Sequence, residues 1–302
     1  MSTNGYAAFL RSLGHNVRKE GEHFWFNVHP RVYMSFPFQH SIAASEVPEK
    51  KILGRDGLVL RHSCPLTEGR ASYRLAINTP DYTLNSLKGK ARNQTRRGLE
   101  RCSVREMDFV ELLEEGIVLN RETLLRQGRK IDAGFESYWR KYFRQAAAAE
   151  GAHAWGAFCE GLLAAYLVAF TMEDVSHILI VRSRRSLLSK YPNNALLYTY
   201  LETMLGGSSI REVSIGLESL QLGMETLDRF KLGMGFQKLP VGQRIVLSPC
   251  LKPLGYSLIG RFTITVAERL GNEHLLKFAG MLRWYLEQKK THRKYSHPPV
   301  SM

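Results

Sequence analysis

Between residues 153 and 183 three strand-like runs follow one another with only tight turns between them. They are HAWGAFCE (His153–Glu160), LLAAYLVAFT (Leu162–Thr171) and VSHILIVRS (Val175–Ser183). The turns at Glu160-Gly161 and Glu173-Asp174 leave no room for a crossover, so the runs form an antiparallel meander. What surrounds the meander constrains the fold further. Before it, MDFVELLEEGIVLNRETLLRQ reads as a helix with Asp108 as N-cap, and Phe135–Ala149 as another, ended by Gly151. After it come a helix over Asn193–Leu205 closed by Gly206-Gly207 and a short strand over Arg211–Gly216. A helix over Glu225–Met234 and a strand pair over Phe236–Leu247, turning at Val241-Gly242, complete the series. Helix, helix, meander, helix, strand, helix, strand describes a mixed α/β layer arrangement whose sheet continues through helical crossovers.

The first 84 residues have a different texture. A short helix over residues 6–13 stops at Gly14. His23–Val28, Arg31–Phe36, Leu58–Ser63 and Ser72–Asn78 then read as strands, with Pro30, Pro37, Pro48, Pro65 and Pro80 marking loops. Leu84, Leu87, Ala91, Thr95, Gly98 and Cys102 recur at three- and four-residue steps, which predicts an amphipathic helix over Asn85–Glu100. Two apolar helices, near Leu258–Leu270 and Glu273–Gln288, close the chain ahead of a tail, 291–302, that reads as disordered.

The charge balance narrows the partners. Lys and Arg number 42 against 28 Asp and Glu, a net charge of +14, and the pI is about 9.7. Such a field favours polyanions: RNA, anionic membrane surfaces, phosphate-bearing cofactors or acidic carrier proteins. The most apolar stretch, Leu162–Phe170, falls short of the ~18 residues that span a bilayer, and the N-terminus lacks a signal peptide's features. A cytoplasmic protein is expected. Cys64, Cys102, Cys159 and Cys250 lie far apart without a CxxC, so neither a disulfide scaffold nor a zinc ribbon is expected, and a reducing compartment fits. The histidines show no ligand spacing, and no metal is predicted.

The segment YPNNALLYTYLETM…IREVSIGLESL…LDRFKLGMGFQ resembles the C-terminal half of the FemAB-like branch of the GNAT acyltransferase superfamily. The matching features are Pro192 leading the helix after the meander, the short strand ending at Gly216, and Phe230-Lys231 with Gly235-Phe236. KARNQTRRGLERCSV is similar to the basic linking helix of such proteins. The resemblance implies an α/β (α+β) fold with a GNAT-type mixed sheet flanked by helices, built as two GNAT-like units with the first degenerate. On that reading residues 1–84 form the degenerate unit and 85–107 the basic linking helix. Residues 108–250 form the acyltransferase unit and 251–290 the C-terminal helical pair. The implied activity moves an acyl or aminoacyl group onto an amine, from acyl-CoA, an acyl carrier or aminoacyl-tRNA as co-substrate. In ordinary acetyl-CoA enzymes of the superfamily the diphosphate loop is glycine-rich; here Arg182–Lys190 contains no glycine.

The candidate donor site is that stretch. Arg182, Arg184, Arg185 and Lys190 lie between a strand end and a helix N-terminus, where free N–H groups and guanidinium groups both favour phosphate. Asn193 and Asn194 follow as helix caps or ligand-facing amides. Lys231 could neutralise a phosphate, stabilise charge developing on an acyl carbonyl, or lie over apolar neighbours as a surface lysine. Glu218 could take the proton of the attacking amine, with Glu225 and Asp228 as competitors; for all three the plainer role is capping or ion pairing. Tyr198 or Tyr200 could protonate the leaving group or simply pack in the core. Lys88, Lys90, Arg92, Arg96, Arg97, Arg101 and Arg105, beside the single acid Glu100, suit an RNA backbone or an acidic acyl carrier protein, and equally a solvated face. Two other readings compete with acyl transfer. One is an RNA-binding protein that keeps only the fold; the other is a peripheral protein on an anionic membrane.

Overall fold

The computed structural model describes residues 3–207, 209–221, 223, 225–270 and 273–296. In chain order the first elements are α1 (Thr3–Ser12), β1 (Val17–Glu20), β2 (His23–His29), β3 (Val32–Phe36), α2 (Glu49–Leu53), β4 (Val59–Cys64) and β5 (Arg70–Ile77). Then come α3 (Gly89–Arg101), β6 (Ser103–Met107), α4 (Glu115–Arg126), α5 (Phe135–Ala147), β7 (Ala152–Cys159), β8 (Leu162–Met172) and β9 (Val175–Ser183). The last are α6 (Pro192–Gly206), β10 (Glu212–Leu217), α7 (Glu225–Gly233), β11 (Gln237–Leu247), α8 (Ser257–Leu270) and α9 (Glu273–Ser296). The fold is the mixed α/β arrangement expected, with helices packed on mixed sheet.

The chain divides into two units, each gathered from separated stretches. The first comprises residues 1–14, 75–216 and 227–237; the second comprises 15–74, 217–226 and 238–302.

In the first unit the strand order is β5-β10-β9-β8-β7-β6, with β5 contributing only its last residues, Leu75–Ile77, to this unit. The meander β7-β8-β9 is antiparallel in register, and β10 joins β9 in parallel. β8 is buried from Leu163 to Met172 and is rich in alanine, and Leu196, Leu197, Tyr200 and Leu201 of α6 belong to the same core. α3 lies close on α6 because residue 98 has no side chain: a Cβ there would sit 2.7 Å from the Tyr191 carbonyl oxygen. Tyr200 and Ser176 satisfy each other by a buried hydroxyl–hydroxyl bond of 2.6 Å. In the second unit β1-β2-β3 form an antiparallel ribbon, β4 joins β3 in parallel, and β11 runs antiparallel to β4. Trp25, Tyr33, Ile52 and Leu60 fill one core there; Val59, Leu247, Leu282 and Trp284 fill another beneath α9.

Several sequence expectations change in detail. The helix expected over Asn85–Glu100 runs Gly89–Arg101, and Ser103–Met107 at the end of the expected linking segment is strand β6, paired with Phe158–Ala154 of β7. Asp108 does cap, but a 3-10 turn over Phe109–Leu113, and α4 begins only after it. Arg185–Lys190 is a 3-10 turn rather than an open loop. The strand pair expected around Val241-Gly242 is one strand: Gly242 lies opposite Cys64, where a Cβ would stand 2.4 Å from the Pro65 carbonyl oxygen, so this glycine serves close approach and not a turn. β1 and α2 were not foreseen. α9 continues to Ser296, inside the tail expected to be disordered, and 297–302 lie outside the described residues. Cys102, between α3 and β6, and Cys159, the last residue of β7, form a disulfide that their sequence separation of 57 conceals. Cys64 is a buried free thiol, pushed up to about 12 by burial, and Cys250 is exposed.

Candidate functional site

In the first unit β9 and β10 share a register only over Val175–His177 and Glu212–Ser214. Beyond it, β9 from Ile178 to Ser183 has no β10 partner, so two parallel strands part and leave backbone groups for other donors and acceptors. The Lys231 ammonium, from α7, donates to the Ile215 carbonyl oxygen at 3.3 Å. Burial pulls the Lys231 pKa down, and Asp228, one helical turn away, opposes that shift. A partly desolvated ammonium at an unpaired strand segment can meet a developing oxyanion with little reorganisation.

At the other end of β9 the chain enters α6. Tyr191 holds a left-handed backbone (φ 59°), Pro192 takes the first helical position, and the Tyr191 carbonyl accepts from the N–H groups of Asn194 and Ala195. The Asn193 amide donates to Ser183 Oγ at 3.3 Å, and its Oδ1 is buried without a partner among the described residues. Asn194 is buried and turns its amide to Met234 Sδ at 3.5 Å, which makes it a core contact between α6 and the end of α7. The Tyr198 hydroxyl donates to Glu202 Oε1 at 2.5 Å, and burial together with that carboxylate raises its pKa to about 12. Tyr200 is a core residue bonded to Ser176.

The four cations at the end of β9 and just after it have different surroundings. The Arg182 guanidinium is buried, which lowers its pKa; it donates from Nε to Asn120 Oδ1 at 3.1 Å, the same oxygen that accepts from the Tyr166 hydroxyl at 2.6 Å. Arg184 donates to Glu115 Oε2 at 2.6 Å and to the Leu163 carbonyl oxygen at 3.1 Å. Lys190 pairs with Glu160 at 2.6 Å. Arg185 gives only its backbone N–H, to Glu122 Oε2 at 2.8 Å, and its guanidinium is exposed. Sequence reasoning missed Glu115, Asn120 and Glu122 on α4. The signal available was Asn120, a polar residue on the buried face that Ile117 and Thr123 share.

Glu218 belongs to the second unit, whereas Tyr198 and Lys231 belong to the first. Its carboxylate accepts from Arg70 Nη1 at 2.7 Å, Arg70 Nη2 at 3.3 Å and Ser72 Oγ at 2.7 Å. Lys88, just ahead of α3, and Lys90, Arg96, Arg97 and Arg101 on it are exposed; Arg92 caps the carbonyls of Leu84, Asn85 and Leu87, and Arg105, on β6, makes a bidentate pair with Glu111. Among the described residues no group of His, Cys, Asp and Glu could hold a metal ion, and no helix is long and apolar enough to cross a membrane.

No protein-family model matches the chain, and no curated protein sequence matches it. Solved structures do. FemX is similar with a TM-score of 0.58 at 13% identity, covering 85% of this chain and 94% of that one. L-PGS from Bacillus licheniformis is similar with a TM-score of 0.51 at 14% identity, covering 86% of this chain and 97% of that one. At these identities the likeness is one of fold: the chain shares the fold of FemX and of L-PGS.

Proposed function

We propose that this protein is an N-acyltransferase that moves an acyl or aminoacyl group from a phosphate-bearing donor to an amine. The observation that carries the reading is the parting of β9 and β10 with the desolvated Lys231 ammonium at its edge. The donor's carbonyl sits against that ammonium, which takes up the charge of the tetrahedral intermediate. The amine nitrogen attacks the carbonyl carbon, a C–N bond forms, and the C–S or C–O bond to the carrier breaks. Asp228, beside Lys231, accepts the amine's proton; Tyr198, kept protonated by its high pKa, returns one to the leaving thiolate or alkoxide. Arg185 and the head of α6 at Asn193 meet the donor's phosphates, because Arg184 and Lys190 already hold carboxylates. The exposed cations of α3 suit a polyanionic carrier, either tRNA or an acidic carrier protein, better than CoA alone.

The test is transfer from a panel of labelled acyl-CoAs and aminoacyl-tRNAs to amine acceptors. Lys231→Ala should lower kcat about 100-fold, the order of losing one oxyanion donor. Arg185→Ala should raise donor KM roughly tenfold with kcat little changed, as one charge-assisted phosphate contact would. Rates indifferent to both changes would overturn the reading. A second reading, RNA binding without transfer, draws on the exposed Lys90, Arg97 and Arg101, which share one face of α3. Salt-steep RNA affinity with no transfer from any donor would favour it.

A further inference from the structure

We propose that the outer face of α8, in the second unit, rests on the surface of an anionic lipid bilayer. The inner face of this helix is fixed by close packing. Gly260 and Ala267 are buried, and a Cβ on Gly260 would lie 2.5 Å from the Leu254 carbonyl oxygen and 2.9 Å from the Leu286 side chain. The opposite face carries Leu258 (81% exposed), Phe262 (72%), Val266 (38%) and Leu270 (66%). Their spacing of four residues lines them along one side of the helix over ~18 Å, at 1.5 Å per residue. Tyr256, 69% exposed, extends the stripe at its start. Single exposed apolar residues are ordinary; an uninterrupted row of large ones marks an interaction surface.

The charge around the stripe selects the partner. Arg261 and Arg269 are exposed on α8 itself, the one exposed carboxylate there, Glu268, is paired with Arg283, and Lys252 is exposed in the 3-10 turn that leads into the helix. Lys252 also lines a cleft of about 390 Å³ with Arg244, Tyr285 and Lys289, against the single carboxylate of Glu49. A second copy of this chain would bring another +14 to the contact and be repelled. A bilayer of anionic lipid supplies both halves of the match: acyl chains for the leucines and phenylalanine, and phosphates for the arginines and lysines. At 14 residues α8 cannot cross such a bilayer, but it can lie in the interface with its apolar side down. This inference does not draw on the transferase reading, and either can fail alone.

The test is co-sedimentation of the full chain with vesicles of phosphatidylcholine alone and of phosphatidylcholine mixed with phosphatidylglycerol. The chain should sediment with the mixed vesicles, and Phe262→Asp and Leu258→Asp should each weaken that binding about tenfold or more. Their thermal midpoints should stay unchanged, because both side chains are exposed. A Leu258→Trp variant should gain blue-shifted fluorescence with the mixed vesicles only. Three results would overturn the proposal. One is absence of vesicle binding at low salt. Another is binding that Phe262→Asp leaves intact, which is adhesion by charge alone. The third is a dimer that Phe262→Asp dissolves in a chain that ignores vesicles.

Discussion

The two units each contain a polar cluster built around long cations, and the clusters are finished to different degrees. In the second unit Arg70 spans Glu218 and Glu287 and lies over the Trp284 ring at 4.3 Å. Arg61 bonds Gln243 at 2.8 Å and the Glu218 carbonyl oxygen at 3.2 Å, and the Gln243 amide bonds Ser63 Oγ at 2.7 Å. Each donor faces an acceptor, the arrangement that specifies one packing and leaves little for a ligand. In the first unit the Lys231 ammonium has one carbonyl, Asn193 Oδ1 and Asn120 Nδ2 are buried and unmatched, and the Arg185 guanidinium is unpaired among the described residues. Unmatched groups cost stability, which a water or a ligand that meets them would restore. The difference teaches that an arginine's count in a sequence says less than whether its carboxylate is already in place.

The largest effect is expected from breaking the finished cluster. Arg70→Ala takes from the Glu218 and Glu287 carboxylates the cation they share and should cost about 3 kcal/mol, read as a fall in the urea midpoint. A loss below about 1 kcal/mol would show that the second unit's network is peripheral to its stability and would erase the contrast. A further effect sharpens it. In the second unit His62 is buried, its Nδ1 faces the Ser63 carbonyl oxygen, and its Nε2 has no partner among the described residues. Burial, the main cause, lowers its pKa to about 4. Between pH 6.5 and about 4 the unfolded chain binds a proton that the folded chain refuses, so stability falls as pH drops through that window, by up to ~3 kcal/mol. His62→Leu should flatten that part of the curve of thermal midpoint against pH. An unchanged slope would assign the acid sensitivity to other groups.

The meander was legible because period, length and turn chemistry agree over His153–Ser183. The short strand β6 was not: Arg105 and Glu106 give Ser103–Met107 a polar texture, and only pairing with β7 makes it a strand. β11 was misread because a glycine placed for close approach to Pro65 looks in sequence like a turn. At the site, the basic residues at the end of β9 and after it were legible as a charge cluster, and Lys231 as part of a sequence resemblance. Their partners were not, because Glu115 and Glu122 lie more than sixty residues upstream on α4 and reach Arg184 and Arg185 only through folding. Glu218 drew attention as the acid after a strand end; that Arg70 and Ser72 would take both its oxygens depends on contacts some 146 to 148 residues apart.

Glu218 also supplies the smallest expected effect and the most direct way to break the comparison. Glu218→Gln keeps the shape of the side chain and an oxygen for Ser72 or Arg70, while removing the charge. Since the carboxylate is only partly buried, the loss of stability should be about 1 kcal/mol. Transfer activity should hardly change, because Arg70 and Ser72 already occupy both oxygens of the carboxylate. Asp228→Asn should instead lower kcat about 100-fold with little change in thermal midpoint, the scale of losing a general base. If the two results are exchanged, with Glu218→Gln slow and stable and Asp228→Asn active, then the finished cluster holds the base. The division between a structural second unit and a chemical first unit would then have to be abandoned.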